Sequence, residues 1–344
     1  MTFTLPIGID KVALLAGKEV RNDPSVSIPQ PEENILAQTA TTSITPALTV
    51  QPATKEAEAQ TEKKPKTKEK QKPSRISQPS AATHVEIDIE KDIPVASKVN
   101  EHTYCAIIAN EEYEESPNVN YALNDGEMFR QYCIKTLGIP EKQVRYYPNA
   151  SFTDTRKALR YLEDIQKFDK QAKLILYYSG HGMPDEAERT AYLLPVDGSA
   201  KDMSTCVSMK EVYQRLGRIE AESVTVLLDA CFCGLQRGKE EAILATRGVA
   251  IRTKPEDLTG KVVVFTAASD KETALAYEEK RHGLFTYYLL RKLKETRGNV
   301  TLGELVESVT QEVTKTALLE NDKMQKPTHN EAPAMKAGWK NIHF

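Results

Sequence analysis

Lys173-Leu174-Ile175-Leu176-Tyr177-Tyr178-Ser179-Gly180-His181-Gly182 and Ser223-Val224-Thr225-Val226-Leu227-Leu228-Asp229-Ala230-Cys231-Phe232-Cys233-Gly234 decide the fold. Each is an apolar run of strand length that stops at a small residue and then presents a reactive side chain, His181 in one and Cys231 in the other. As neighbouring parallel strands they would carry an imidazole and a thiol to one sheet edge, where ligand sites of open α/β sheets lie.

Working outward, Tyr104-Cys105-Ala106-Ile107-Ile108-Ala109-Asn110 is a third continuous apolar run, the pattern of a central strand covered on both faces. A helix is expected from Leu123-Asn124-Asp125 through Leu137, ended by Gly138 and Pro140. A short strand follows at Val144–Tyr147, then a helix capped by Thr153 with Ala158, Leu159, Leu162 and Ile165 on one face. Beyond His181, Ala191–Asp197 reads as a short strand and Ser208-Met209-Lys210-Glu211 as a capping box that opens a helix. After the Cys231 strand, Gln236–Thr259 is charged and aperiodic, an exposed loop, and Lys261–Ala268 is another buried strand. Helices from Gly283 and from Thr301, with Glu304 three residues on, close the unit, and the tail from Met324 reads as irregular with Trp339 packed back. Strands alternating with helices predict an α/β fold, a doubly wound, mostly parallel sheet with helices on both faces.

Composition divides the 344 residues unevenly. Pro24–Ala82 is rich in Pro, Thr, Ser, Gln and Lys and poor in aromatics, so it cannot bury enough apolar surface to offset the entropy of ordering. Residues 1–100 are therefore expected to be a disordered extension and linker, with a short alternating segment, His84–Ile89, that could form an edge strand, and residues 101–344 the folded domain. The net charge of -3 gives no support for nucleic acid as a partner, and the basic run Lys63–Pro73 reads as a solvated linker. Five cysteines scattered through a large domain are no disulfide framework and suit a reducing compartment. With no signal peptide in this chain and no run long enough to span a bilayer, a cytoplasmic protein is expected, export from a longer precursor aside.

Hydrolysis of a peptide by a thiol needs a sulfur nucleophile, a base and donors for the oxyanion. Cys231 and His181 supply the first two, and the backbone N–H groups of Gly182 and Cys231 are the candidates for the third. Tyr178-Ser179-Gly180-His181-Gly182 and Asp229-Ala230-Cys231-Phe232-Cys233-Gly234 resemble the histidine and cysteine motifs of the caspase, metacaspase and paracaspase group of cysteine peptidases, and the fifty residues between His181 and Cys231 fit that group's spacing. The resemblance runs from about Thr103 to about Thr316 and takes in Asn110, Asn124-Asp125 and the strand leading to Ser269-Asp270. It implies a caspase-like fold, a His181–Cys231 dyad, and a metacaspase-like pocket at Asp125, Ser179 and Asp229. Two carboxylates there would favour Arg or Lys at the cleaved residue of a protein or peptide substrate. Ser269, after the strand expected to pair with substrate by strand addition, completes the binding set. Self-cleavage is expected among the basic residues of Gln236–Thr259 or Lys63–Arg75. No cofactor is required by this chemistry; calcium could be held near Asp197 and Asp202, as the resemblance to some metacaspases implies. Nothing in the sequence indicates an oligomeric state.

Other readings of the same residues remain. Asp229 could cap a turn, and Asp125 could be a first-turn helix acid. His181, Cys231 and Cys233 lack the fourth group of a closed zinc site. Cys233, where the group usually has a small residue, could trap an oxidised Cys231 as a disulfide. His282 and Cys105, Cys133 and Cys206 read as structural. A catalytically silent scaffold is the main alternative, and a nucleotide-binding sheet is disfavoured because acidic Asn110-Glu111-Glu112 stands where a phosphate loop would be.

Overall fold

The structure, a computed structural model, describes residues 87–185, 190–230, 232, 258–269, 272–321 and 323–344. In chain order these form β1 (Thr103–Ala109), α1 (Ala122–Lys135), β2 (Val144–Pro148), α2 (Phe152–Ile165), β3 (Lys173–Ser179), β4 (Gly182–Asp185), β5 (Thr190–Leu193), β6 (Val207–Ser208), α3 (Met209–Gly217) and β7 (Ser223–Asp229). β8 (Val262–Thr266), β9 (Ala276–Tyr277), β10 (His282–Gly283), α4 (Leu284–Thr296), α5 (Leu302–Asn321) and β11 (Thr328–Glu331) complete them.

The main sheet has six strands in the order β11-β8-β7-β3-β1-β2. All neighbours are parallel except β11, which runs antiparallel to β8. Every residue of β7, and all but the first of β3, is buried, because helices coat the sheet in two groups, α2 with α3 and α1 with α4 and α5. The expected α/β architecture, a mostly parallel sheet with helices on both faces, is the one the chain adopts.

Several local expectations change. Ser151, not Thr153, caps α2: its Oγ accepts from Asp154 N at 3.1 Å. Ser208 stands at the start of α3 but makes no side-chain cap, whereas Thr301 and Glu304 do form the capping box of α5. The tail is not irregular throughout, since Thr328–Glu331 pairs with β8. That strand escapes sequence reading because it is short, polar and at an edge, with no apolar alternation to reveal it. Its presence also occupies the second edge of β8, so Val263–Thr266 offers no free edge of the kind expected to pair with a substrate.

Of the segment His84–Ile89 expected as an edge strand, residues 84–86 lie outside the described residues, and Ile87–Ile89 enters a turn closed by Glu90 N on Ile87 O instead. Ile87 and Ile89 are buried in the main core. The chain then runs as a strap to Asn100, with Tyr132 Oη donating to Ile89 O, Thr136 Oγ1 to Pro94 O, and Asn100 N to Gly138 O, all within 2.9 Å. Trp339 is 3% exposed and packs against His329, as expected for the tail.

Candidate active site

The register of β3 against β7 sets the site. Ser179 is paired with Asp229, the last residues of the two strands, and Gly180 N donates to Asp229 O. His181 and Cys231 each come two residues further along. Cys231 itself lies outside the described residues, as do Cys233 and most of the Gln236–Thr259 segment.

His181 is 1% exposed and held through its backbone N–H, its carbonyl and its ring. Its backbone N–H donates to Tyr113 Oη at 2.8 Å, and the two rings are 4.7 Å apart. Its carbonyl accepts from Tyr178 Oη (2.7 Å) and Leu194 N. The ring's Nε2 lies 2.7 Å from Pro117 O. A carbonyl can only accept, so Nε2 carries the proton, and in the neutral ring Nδ1 is then the basic nitrogen. Gly180 makes this possible: a Cβ there would fall 2.7 Å from Tyr113 Oη and 2.9 Å from Tyr178 Oη. Gly182 opens β4 and pairs with Leu193.

The residues expected to line a substrate pocket converge beneath these strand ends. Ser179, Asp125 and Asp229 are all fully buried. Ser179 Oγ donates to Asp125 Oδ2 at 3.2 Å. Gly283 N reaches both oxygens of Asp125, at 3.0 and 3.1 Å. Thr286 donates to Asp229 Oδ2 through its backbone N–H (3.2 Å) and its hydroxyl (2.6 Å). Gly283 and Thr286 belong to the first turn of α4, which has no side-chain cap of its own. The two carboxylates cap it from outside, each meeting an orphan amide at the positive end of the helix.

A family model described as the caspase domain matches residues 102–336. The chain belongs to the caspase-domain family. Among solved structures, the chain is similar to caspase-1 from Spodoptera frugiperda, with 12% identity and a TM-score of 0.48 over 74% of this chain and 94% of that one. It is also similar to a structural-genomics target protein from Geobacter sulfurreducens, with 17% identity and a TM-score of 0.49 over 69% of this chain and 96% of that one. A search of curated proteins finds no match.

The family is one of cysteine peptidases, so this caspase domain stands among hydrolases that act on proteins. Within it, Ser269 lies past the end of β8, half-buried, its N–H directed at Glu272 Oε2. Asp197 accepts from Phe152 N, and Asp202 caps the turn Met203–Thr205 through Ser204. Among the described residues no group of three or more His, Cys, Asp or Glu is placed to hold a metal ion, and no helix is long and apolar enough to cross a membrane.

Four residues that surround His181, Asp125 and Asp229 in the structure drew no functional reading from the sequence. Pro117 acts through a backbone carbonyl, which any residue type supplies. Tyr113 sits in a loop without periodicity. Thr286 lies in an apolar helix start that reads as core and His282 in the two-residue strand just before it, and only the fold brings them under the strand ends.

Proposed function

We propose that the chain is a cysteine endopeptidase in which Cys231 attacks the scissile carbonyl and His181 accepts and returns the proton. The observation that carries this reading is the orientation of His181: Nε2 bound to Pro117 O leaves Nδ1 as the base, one strand away from the segment that bears Cys231. Pro117 then plays the orienting part that a carboxylate plays in a serine triad. The backbone N–H groups of Gly182 and Cys231 are assigned to the oxyanion.

The substrate side chain is assigned to Arg or Lys, on the strength of Asp125, Ser179 and Asp229 meeting in one buried cluster, with Ser269 contributing at the rim. A cation reaching them would displace their internal partners in part. Self-processing at the basic residues of the Gln236–Thr259 or Lys63–Arg75 segments follows from the same preference.

Fluorogenic peptides that differ only at the cleaved residue test the reading. Hydrolysis after Arg or Lys, absent in Cys231→Ala and His181→Ala and weak after Asp, is expected with or without calcium. No hydrolysis by the wild type, or equal hydrolysis by Cys231→Ala, would return the chain to the silent-scaffold reading.

A further inference from the structure

His282 opens β10 with its side chain fully buried. Its Nδ1 lies 2.9 Å from Asp125 Oδ1 and its Nε2 3.2 Å from Glu90 Oε1. Asn124 Nδ2 is also 3.2 Å from Nε2, but its two hydrogens are directed at Glu90 Oε1 (3.0 Å) and Arg281 O (2.9 Å). Glu90 is therefore the acceptor for Nε2. A neutral imidazole has one N–H, whereas a ring with a carboxylate at each nitrogen employs two. The geometry is that of an imidazolium. Burial opposes the charge, but the hydrogen bonds to Asp125 and Glu90 outweigh it and push the His282 pKa up to about 9. The same contact, with that of Asn124, holds the Glu90 carboxyl below its ordinary value.

The ionisable groups around the ring come from each element packed on it. α1 brings Asp125, the strap brings Glu90, and the turn before β10 brings Arg281, whose charge also bears on Glu90. β9 pairs Tyr277 with His282, and α4 begins Leu284-Phe285-Thr286-Tyr287, with only the Tyr287 phenol to titrate.

Resting on the reading of Asp125 and Asp229 as the pocket for a basic side chain, we propose that His282 is a specificity-determining residue. It is a resident imidazolium on Asp125 that lowers the pocket's negative charge by one, and so holds its pull on a cationic substrate side chain below what two acids would exert. Asp125 answers to two cations, one built in and one arriving. Glu90 keeps the built-in one protonated.

The test pairs two peptides, one with arginine at the cleaved position and one with citrulline, which keeps the shape without the charge. The ratio of their kcat/KM divides out the ionisation of Cys231 and His181. From pH 7 to pH 10 the wild-type ratio should rise by on the order of tenfold, between the scale of a close charge pair in bulk water and that of one near a protein surface. The rise should lie in KM for the arginine peptide. His282→Gln should show the high ratio at every pH, and Glu90→Gln should move the rise to lower pH. A wild-type ratio independent of pH, or a lower ratio in His282→Gln, overturns the proposal.

Nitrogen-15 spectra of histidine-labelled protein, with the His282 signal assigned by its loss in the Gln variant, should show an imidazolium at pH 7. If His282→Gln fails to fold, Glu90→Gln and the wild-type spectrum decide alone, and a neutral ring at pH 7 refutes the assignment. If neither peptide is cleaved while the imidazolium is seen, the peptidase reading fails and the charge on His282 stands.

Discussion

His282 links the chemistry of one ring to the stability of the whole domain. Its folded pKa of about 9 lies above the ordinary 6.5, so its contribution to stability is fully present below pH 6.5 and is lost as pH rises through 9. The shift corresponds to up to about 3 kcal/mol. Denaturant unfolding of the wild type at pH 6 and pH 9.5 should differ by more than the same comparison in His282→Gln. Gly180 gives a second expectation at this scale. A methyl group there meets two tyrosine hydroxyls, so Gly180→Ala should cost about 1–3 kcal/mol by overpacking and displace the ring of His181, visible as a fall in both thermal midpoint and kcat. Sequence reading brought His181, Asp125, Ser179 and Asp229 forward because motif and side chain coincide there. It passed over His282, Thr286 and Tyr113 because their roles come from what lies opposite them in space, and over Pro117 because a carbonyl has no sequence identity.

At the scale of elements, the first turn of α4 and the strap carry the site. Thr286 Oγ1 lies 2.6 Å from both Asp229 and Tyr177 Oη, so Tyr177 donates to Thr286 and Thr286 to Asp229. Thr286→Val keeps the shape and removes the relay. A loss of about 1–3 kcal/mol is expected, the cost of leaving a buried acceptor short of a partner, read by chemical denaturation. Asp125→Asn and Asp229→Asn should be non-additive by about 0.5–3 kcal/mol in a double-mutant cycle, since both acids act on one helix turn. The strap buries Ile87 and Ile89, each worth about 1.5–3 kcal/mol. A chain shortened to begin at Glu101 should therefore melt well below one that begins at Thr83, and it should lose the Glu90 contact to His282. The long buried strands were legible because both faces are apolar, and the capping box of α5 because its two partners are three residues apart. The strap was not: Ile87 and Ile89 alternate like a strand but enter the core from a turn, and β11 is too polar to stand out.

Across the described residues of the folded domain, the larger of two buried clusters joins the two helical coats through the sheet, and the tail belongs to it. Trp339, the only tryptophan, packs beside His329 on the last strand. Its fluorescence should change at the same denaturant concentration as far-ultraviolet circular dichroism, as a single cooperative transition requires. An earlier fluorescence change would mean that the tail opens by itself.

The pairing of Ser179 with Asp229 also ties the buried acidic cluster to a single alignment of the sheet. Successive side chains of a strand point to opposite faces, so sliding β7 by a single position past β3 would turn Asp229 away from α4 and reverse every apolar residue with it. A newly synthesised chain in the wrong alignment would thus be unstable and would lack the buried cluster of Asp125, Ser179 and Asp229, which forms only when the sheet assembles in register.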